Sequence, residues 1–210
     1  MAPVICKTSK TVYYPAPKSA SSTLREIFFE IENGYRFKRF LINGREMSLF
    51  WLYGHGEPFK PVKLPRGYES FTVIRDPIGR FLSFYNWGVI DNRCGFDRPV
   101  EINAFVADFK TYLNFSPKVS FHLSPQHLFI GRDLSFYNRI FRTENLTELG
   151  SYLSQRSGKE ISVGKVNSSS TCVGAHDLTP ESRKRLAEIY KEDYALLKDY
   201  YSPDTSLSFS

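Results

Sequence analysis

Two short strings hold the residues best suited to anion chemistry. The first, Pro17-Lys18-Ser19-Ala20-Ser21-Ser22-Thr23-Leu24, lies between a β-prone run and a strong helix pattern. A helix start exposes unpaired N–H groups with a partial positive charge, and residues this short let the backbone and four hydroxyls close around an anion. Lys18 adds a mobile full charge. The Gly-x4-Gly-Lys-Ser/Thr spacing of nucleoside triphosphatases is absent, which disfavours a Walker A kinase or ATPase. Taken alone, the string equally suits an ordinary helix start beside a solvated Lys. The second string runs from Arg75-Asp76-Pro77 through Arg80 and Ser83 to Tyr85. An Arg at a strand end grips a phosphate bidentately, and a Ser two turns into the next helix completes the cradle. Taken singly, Arg75 would be an ion-pair partner, Arg80 a solvated helix charge and Ser83 a neutral filler.

Proton transfer near neutrality is best served by His, and the chain has four: His55, His122, His127 and His176. His55 stands between two glycines just after the apolar run Leu49 to Tyr53, which predicts a strand end, where ligands of α/β sheets bind. A solvated turn histidine is the alternative. Structural roles are expected for the other three, although His122 and Gln126 are candidates to line an acceptor site. No cluster of Asp, Glu and His suggests a metal site, and no metal is expected.

The elements that must position these residues follow from the pattern. Val12 to Tyr14 reads as a strand, and Leu24, Ile27, Phe28 and Ile31 mark a helix closed by Asn33-Gly34. Tyr35 to Ile42, Asn43-Gly44 and Met47 to Tyr53 read as a β-hairpin or as two strands joined by a tight turn. Phe71 to Ile74 is a compact strand, Asp76 an N-cap and Pro77 a helix start. Val100 to Leu113 is helical by pattern, Ile140-Phe141 is strand, Asn145 with Glu148 forms a capping box, and Thr179-Pro180 opens one last helix through Leu197. Alternating strands and helices predict an α/β domain with a largely parallel central sheet, one domain over residues 1–210.

The chain has 210 residues, 41% hydrophobic and 24% charged, which excludes collagen, coiled coil and outright disorder. Its 18 Phe and 13 Tyr serve a core or a ligand face equally well. The net charge of +6 draws anions without naming one. Cys6, Cys94 and Cys172 are odd in number and far apart, and are expected to be idle thiols of a reducing, cytoplasmic compartment. No stretch reaches the ~18 apolar residues of a membrane span.

Pro17 to Thr23 resembles the 5′-phosphosulfate loop, and Arg75 to Ser83 the 3′-phosphate element, of sulfotransferases that use 3′-phosphoadenosine-5′-phosphosulfate (PAPS). Ala20 and Ile74-Arg75-Asp76-Pro77 are most similar to the family-2 carbohydrate branch that includes uronyl 2-O-sulfotransferases. The likeness continues through Ser124-Pro125-Gln126 and Phe141-Arg142-Thr143-Glu144-Asn145-Leu146. It implies a P-loop-NTPase-like three-layer domain. It also implies that Lys18 contacts the 5′-phosphosulfate and stabilises the leaving phosphate, that Ser19, Ala20, Ser21, Ser22 and Thr23 bind its oxygens, and that Arg75 and Ser83 hold the 3′-phosphate. A late loop with Lys165, Asn167 and Ser168 is the candidate third contact, His55 resembles the branch's base, and Glu144 is expected to be a structural ion-pair residue. The implied reaction is metal-free transfer to a hydroxyl of a glycan or glycolipid, with no nucleic-acid partner. A non-catalytic module for anionic glycan or nucleic acid would need the basic residues but not the paired phosphate elements. A nucleotide or sugar kinase would need Mg²⁺ and an acidic ligand for it.

Overall fold

The β-branched and aromatic run Thr11-Val12-Tyr13-Tyr14 forms a strand in which every residue is buried, as a strand covered on both faces must be. In the computed structural model, which describes residues 2–53, 58–163 and 173–203, it is the second of the elements along the chain. These are β1 (Val4–Cys6), β2 (Thr11–Tyr14), α1 (Ser21–Asn33), β3 (Phe40–Ile42), β4 (Arg45–Met47), α2 (Leu49–Tyr53), β5 (Glu69–Ile74) and α3 (Pro77–Tyr85). After a π-helical turn at Asn86–Ile90 come α4 (Ile102–Ala107), α5 (Phe109–Leu113), α6 (Pro117–Leu123), α7 (His127–Ile130), β6 (Arg139–Arg142), α8 (Leu146–Ser157), α9 (Pro180–Ile189) and α10 (Lys191–Leu196). The chain divides into two units, Met1–Ile74 with Leu128–Val166 and Arg75–His127 with Asn167–Ser210.

The first unit holds a four-stranded sheet in the order β1-β2-β5-β6. β2, β5 and β6 run parallel, with Tyr13 opposite Phe71 and Ile74 opposite Arg142, and β1 pairs antiparallel at the edge. This is the mixed α/β architecture with a mostly parallel central sheet that the alternation predicts. Tyr13, Phe71, Val73 and Phe141 pack with Leu24, Ile27, Phe28 and Ile31 of α1 and with Leu146, Leu149 and Leu153 of α8. Side chains alternate along a strand, so Tyr14 faces the other way and meets Phe59, Phe136 and Tyr137. Tyr13, Tyr14, Phe28, Phe71 and Phe141 are thus core rings, whereas Tyr35 and Phe40 of the same unit are exposed. Tyr13 stacks on Phe71 at 5.1 Å and meets Phe28 edge-on, contacts worth about 0.5–1.5 kcal/mol beyond their area.

Asn43-Gly44 does make the turn of a hairpin, with both residues at positive φ, but the hairpin joins β3 to β4. The run Leu49–Tyr53, expected as strand, is helix α2. The helix lies against α1, with Leu49 buried and Phe50 under the Arg25 guanidinium, so helical packing overrides β propensity. The chain therefore reaches Gly54 from a helix, not from a strand end. Asn145 starts α8 without a side-chain cap, because its carboxamide bonds the Glu148 carboxylate at 3.0 Å and the expected capping box does not form.

The second unit is helical. α3 buries Pro77, Ile78, Phe81, Phe84 and Tyr85, and Phe105 of α4 lies against the rings of Phe81, Phe84 and Tyr85. The helix expected over Val100 to Leu113 is broken at Asp108 into α4 and α5, and the last helix is broken at Tyr190 into α9 and α10. Among the described residues no helix is long and apolar enough to cross a membrane.

Candidate functional site

In the first unit, β2 ends at Tyr14 and the chain turns through Pro17, Lys18, Ser19 and Ala20 into α1. Lys18 at φ 64 and Ala20 at φ 58 are both left-handed, a conformation that costs an L-residue roughly 1–2 kcal/mol. Such strain persists where the surroundings over-determine it. Here Ser19 is fully buried, its N–H donates to the Ala16 carbonyl at 3.3 Å, and the Tyr13 hydroxyl donates to the Ser19 carbonyl at 3.4 Å. Ala20 is the N-cap of α1, no side chain caps that end, and no acidic residue stands in the first turn. The start of α1 thus presents backbone N–H groups and positive dipole to an anion. The four hydroxyls are not equivalent: Ser19 and Ser21 are buried, Thr23 is half-buried and Ser22 is exposed. Lys18 is half-buried.

Arg25, one turn further along α1, was not singled out by the sequence. It is fully buried, its Nη1 donates to the Ser21 carbonyl at 2.9 Å, and its guanidinium carbon lies 4.6 Å from the centre of the Phe50 ring. Its Nε and Nη2 have no hydrogen-bond partner among the described residues. Burial holds its pKa below the usual guanidinium value, opposed by Tyr13 and Tyr53.

In the second unit, Asp76 caps α3 by accepting the Gly79 N–H at 2.7 Å, with Pro77 in the first turn, as the sequence predicts. A Cβ on Gly79 would lie 3.6 Å from Arg75 Nε, so the Arg75 side chain lies along the first turn of α3. Ser83 is one turn beyond Gly79 on the same helix face, by the i, i+4 rule. Three residues later, Asn86 accepts the Val173 N–H and donates to the Val173 carbonyl, both at 2.8 Å. Val173 is the first described residue after 164–172, the stretch that holds Lys165, Asn167 and Ser168. Those three, His55 and Cys172 lie outside the described residues.

Arg80, on its own a solvated helix charge, is instead fully buried. Its two terminal nitrogens donate to the His122 and Ser124 carbonyls at 2.9 and 2.5 Å, and its guanidinium lies over the Tyr190 ring. Gln126, a candidate to line the acceptor site, is fully buried, with its carboxamide on the Arg75 peptide. His122 is half-buried against Trp87, Phe84 and Phe121. His127 is buried on Asp193, and His176 is exposed beside Asp177. Glu144, expected in an ion pair, accepts a hydrogen bond from the Thr143 hydroxyl at 2.9 Å. Cys6 and Cys94 form no disulfide among the described residues, and burial pushes the Cys6 pKa up to about 11.

A mostly parallel sheet with an anion-receptive helix start beyond the carboxyl end of β2 is an arrangement of α/β proteins that bind anionic ligands. The Sulfotransferase family model matches residues 3–202, nearly the whole chain, and the chain belongs to that family. Its class of reaction is the transfer of a sulfuryl group from a sulfate donor to a hydroxyl-bearing acceptor. No curated protein and no solved structure matches the chain.

Proposed function

We propose that this protein moves a sulfuryl group from PAPS to a hydroxyl of a carbohydrate, by in-line displacement without a metal. The observation that carries this reading is the start of α1, which has two left-handed residues, an uncapped N-terminus and Lys18 in a chain of this family. In this reading Lys18 and the 19–23 loop hold the 5′-phosphosulfate, Arg75 and Ser83 hold the 3′-phosphate, and Lys165, Asn167 and Ser168 supply a third contact. The bond from sulfur to the bridging phosphate oxygen breaks as the bond from sulfur to the acceptor oxygen forms. Lys18 and the α1 dipole stabilise the charge that collects on the leaving phosphate. His55 takes the acceptor's proton, and the products are a sulfate ester and adenosine 3′,5′-bisphosphate. His122 lines the acceptor side, and the similarity of Ala20 and Ile74-Arg75-Asp76-Pro77 to the uronyl branch makes an acidic glycan the first acceptor to try. A P-loop-like three-layer architecture and a single working domain over 1–210 belong to the same reading.

The test is incubation with sulfur-labelled PAPS and a panel of glycans, glycolipids and small alcohols, following the label. Transfer to a glycan that is slowed about 10²- to 10⁴-fold by His55→Ala, with nucleotide affinity unchanged, is the expected result. Label retained on the nucleotide with every acceptor, or normal turnover in His55→Ala, overturns the reading or its base.

A further inference from the structure

The segment from His122 to His127 is held from several sides by buried polar groups of the second unit. Besides the Arg80 fork, the Tyr190 hydroxyl donates to the Leu123 carbonyl at 2.9 Å. Asp193 of α10 is fully buried and accepts the Gln126 N–H at 2.6 Å and the His127 N–H at 2.8 Å. Its Oδ1 also lies 2.8 Å from His127 Nδ1. The next residue, Tyr194, donates its hydroxyl to Asp76 Oδ2 at 3.2 Å. These contacts seat Gln126, whose carboxamide meets the backbone of one residue, Arg75. Gln126 Oε1 accepts the Arg75 N–H at 3.2 Å, and Gln126 Nε2 donates to the Arg75 carbonyl at 3.1 Å.

A primary carboxamide offers a donor and an acceptor side by side, as a peptide on a neighbouring strand does, and Gln126 plays that part for Arg75. Glu in its place could accept but not donate, and Met could do neither. A guanidinium grips a phosphate well only if its root is fixed, because the two parallel bonds need a set geometry. We propose that Gln126, seated by Asp193, is a positioning residue that holds the Arg75 backbone and thereby sets the preference for a 3′-phosphorylated nucleotide. This rests on the assignment of Arg75 to the 3′-phosphate made above. Gln126 itself touches no ligand in this scheme.

The experiment measures dissociation constants of adenosine 3′,5′-bisphosphate and 5′-AMP for the whole protein and its Arg75→Ala, Gln126→Met, Gln126→Glu and Asp193→Asn variants. The wild type is expected to prefer the bisphosphate and Arg75→Ala to lose that preference. Gln126→Met should lower the preference at least tenfold while 5′-AMP affinity changes less than twofold, and Gln126→Glu should do the same despite its matching volume. A residue that merely fills space or supports folding would lower the melting temperature and leave the ratio intact. Asp193→Asn reports the same ratio if either Gln126 variant fails to fold, and there too a folded protein with the wild-type ratio overturns the proposal. Two failures are distinguishable. If the wild type does not discriminate, or Arg75→Ala still does, the assignment of Arg75 falls and the proposal with it. If Arg75→Ala loses the preference and the folded Gln126 and Asp193 variants keep it, only the positioning role falls.

Discussion

Ala20 carries the sharpest consequence of the loop geometry. At φ 58 it stands in the left-handed region as the N-cap of α1, where a β-branched side chain is a steric outlier. Ala20→Val should cost about 1–2 kcal/mol beyond the strain already present, which for a chain of this size lowers the melting temperature by roughly 2–8 °C. If the loop relaxes to relieve Val, the first N–H groups of α1 turn away from the bound anion. Losing one charge-assisted hydrogen bond, worth about 1.5–3 kcal/mol, weakens adenosine 3′,5′-bisphosphate by roughly 10- to 100-fold. Ala20→Gly is the control. Gly removes the steric cost and adds about 0.5–1 kcal/mol of backbone entropy, so its stability should stay within about 1 kcal/mol of wild type. Thermal unfolding with and without the bisphosphate reads both effects. An Ala20→Val protein that melts within about 1 °C of wild type and binds the nucleotide normally would refute the claim that this backbone geometry makes the anion site.

The bisphosphate at about 100-fold over its dissociation constant should add roughly 2.7 kcal/mol without metal, and equal stabilisation by 5′-AMP at the same concentration would speak against a 3′-phosphate site. The two buried arginines should diverge in urea unfolding. Arg80→Met strands two carbonyls and should lose about 3–5 kcal/mol, whereas Arg25→Met removes a guanidinium with one hydrogen bond and should be neutral or gain up to about 4 kcal/mol; a loss above about 3 kcal/mol at Arg25 contradicts this. Burial raises Cys6 to about 11 and Tyr53 and Tyr85 to about 12, so the neutral forms are favoured in the folded state. The unfolded chain then loses these protons first, and stability should be complete below about pH 9 and fall as pH rises toward 11 and 12. Cys6→Ala and Tyr85→Phe should each flatten that decline, and an unchanged alkaline profile would contradict it.

Local chemistry made part of this molecule readable before any fold was known. The spacing of Leu24, Ile27, Phe28 and Ile31 marks α1, Gly34 ends it in the left-handed region, and Asp76-Pro77 starts α3, because each depends on residues within a turn or two. The candidate loop was readable for the same reason. What the sequence could not show is set by partners far along the chain. Leu49–Tyr53 is helix because α1 offers it a packing face, and Arg80 is buried because carbonyls some forty residues later need its donors. Asp193 did leave a trace, a carboxylate in the stripe of Tyr190, Tyr194 and Leu197, where a charge is tolerated only with buried partners. Which partners these are, the N–H groups of Gln126 and His127 and through Gln126 the Arg75 peptide, was decided by tertiary structure alone. Hydrogen bonds across 51 to 67 residues follow from packing, not from any spacing that a linear chain displays.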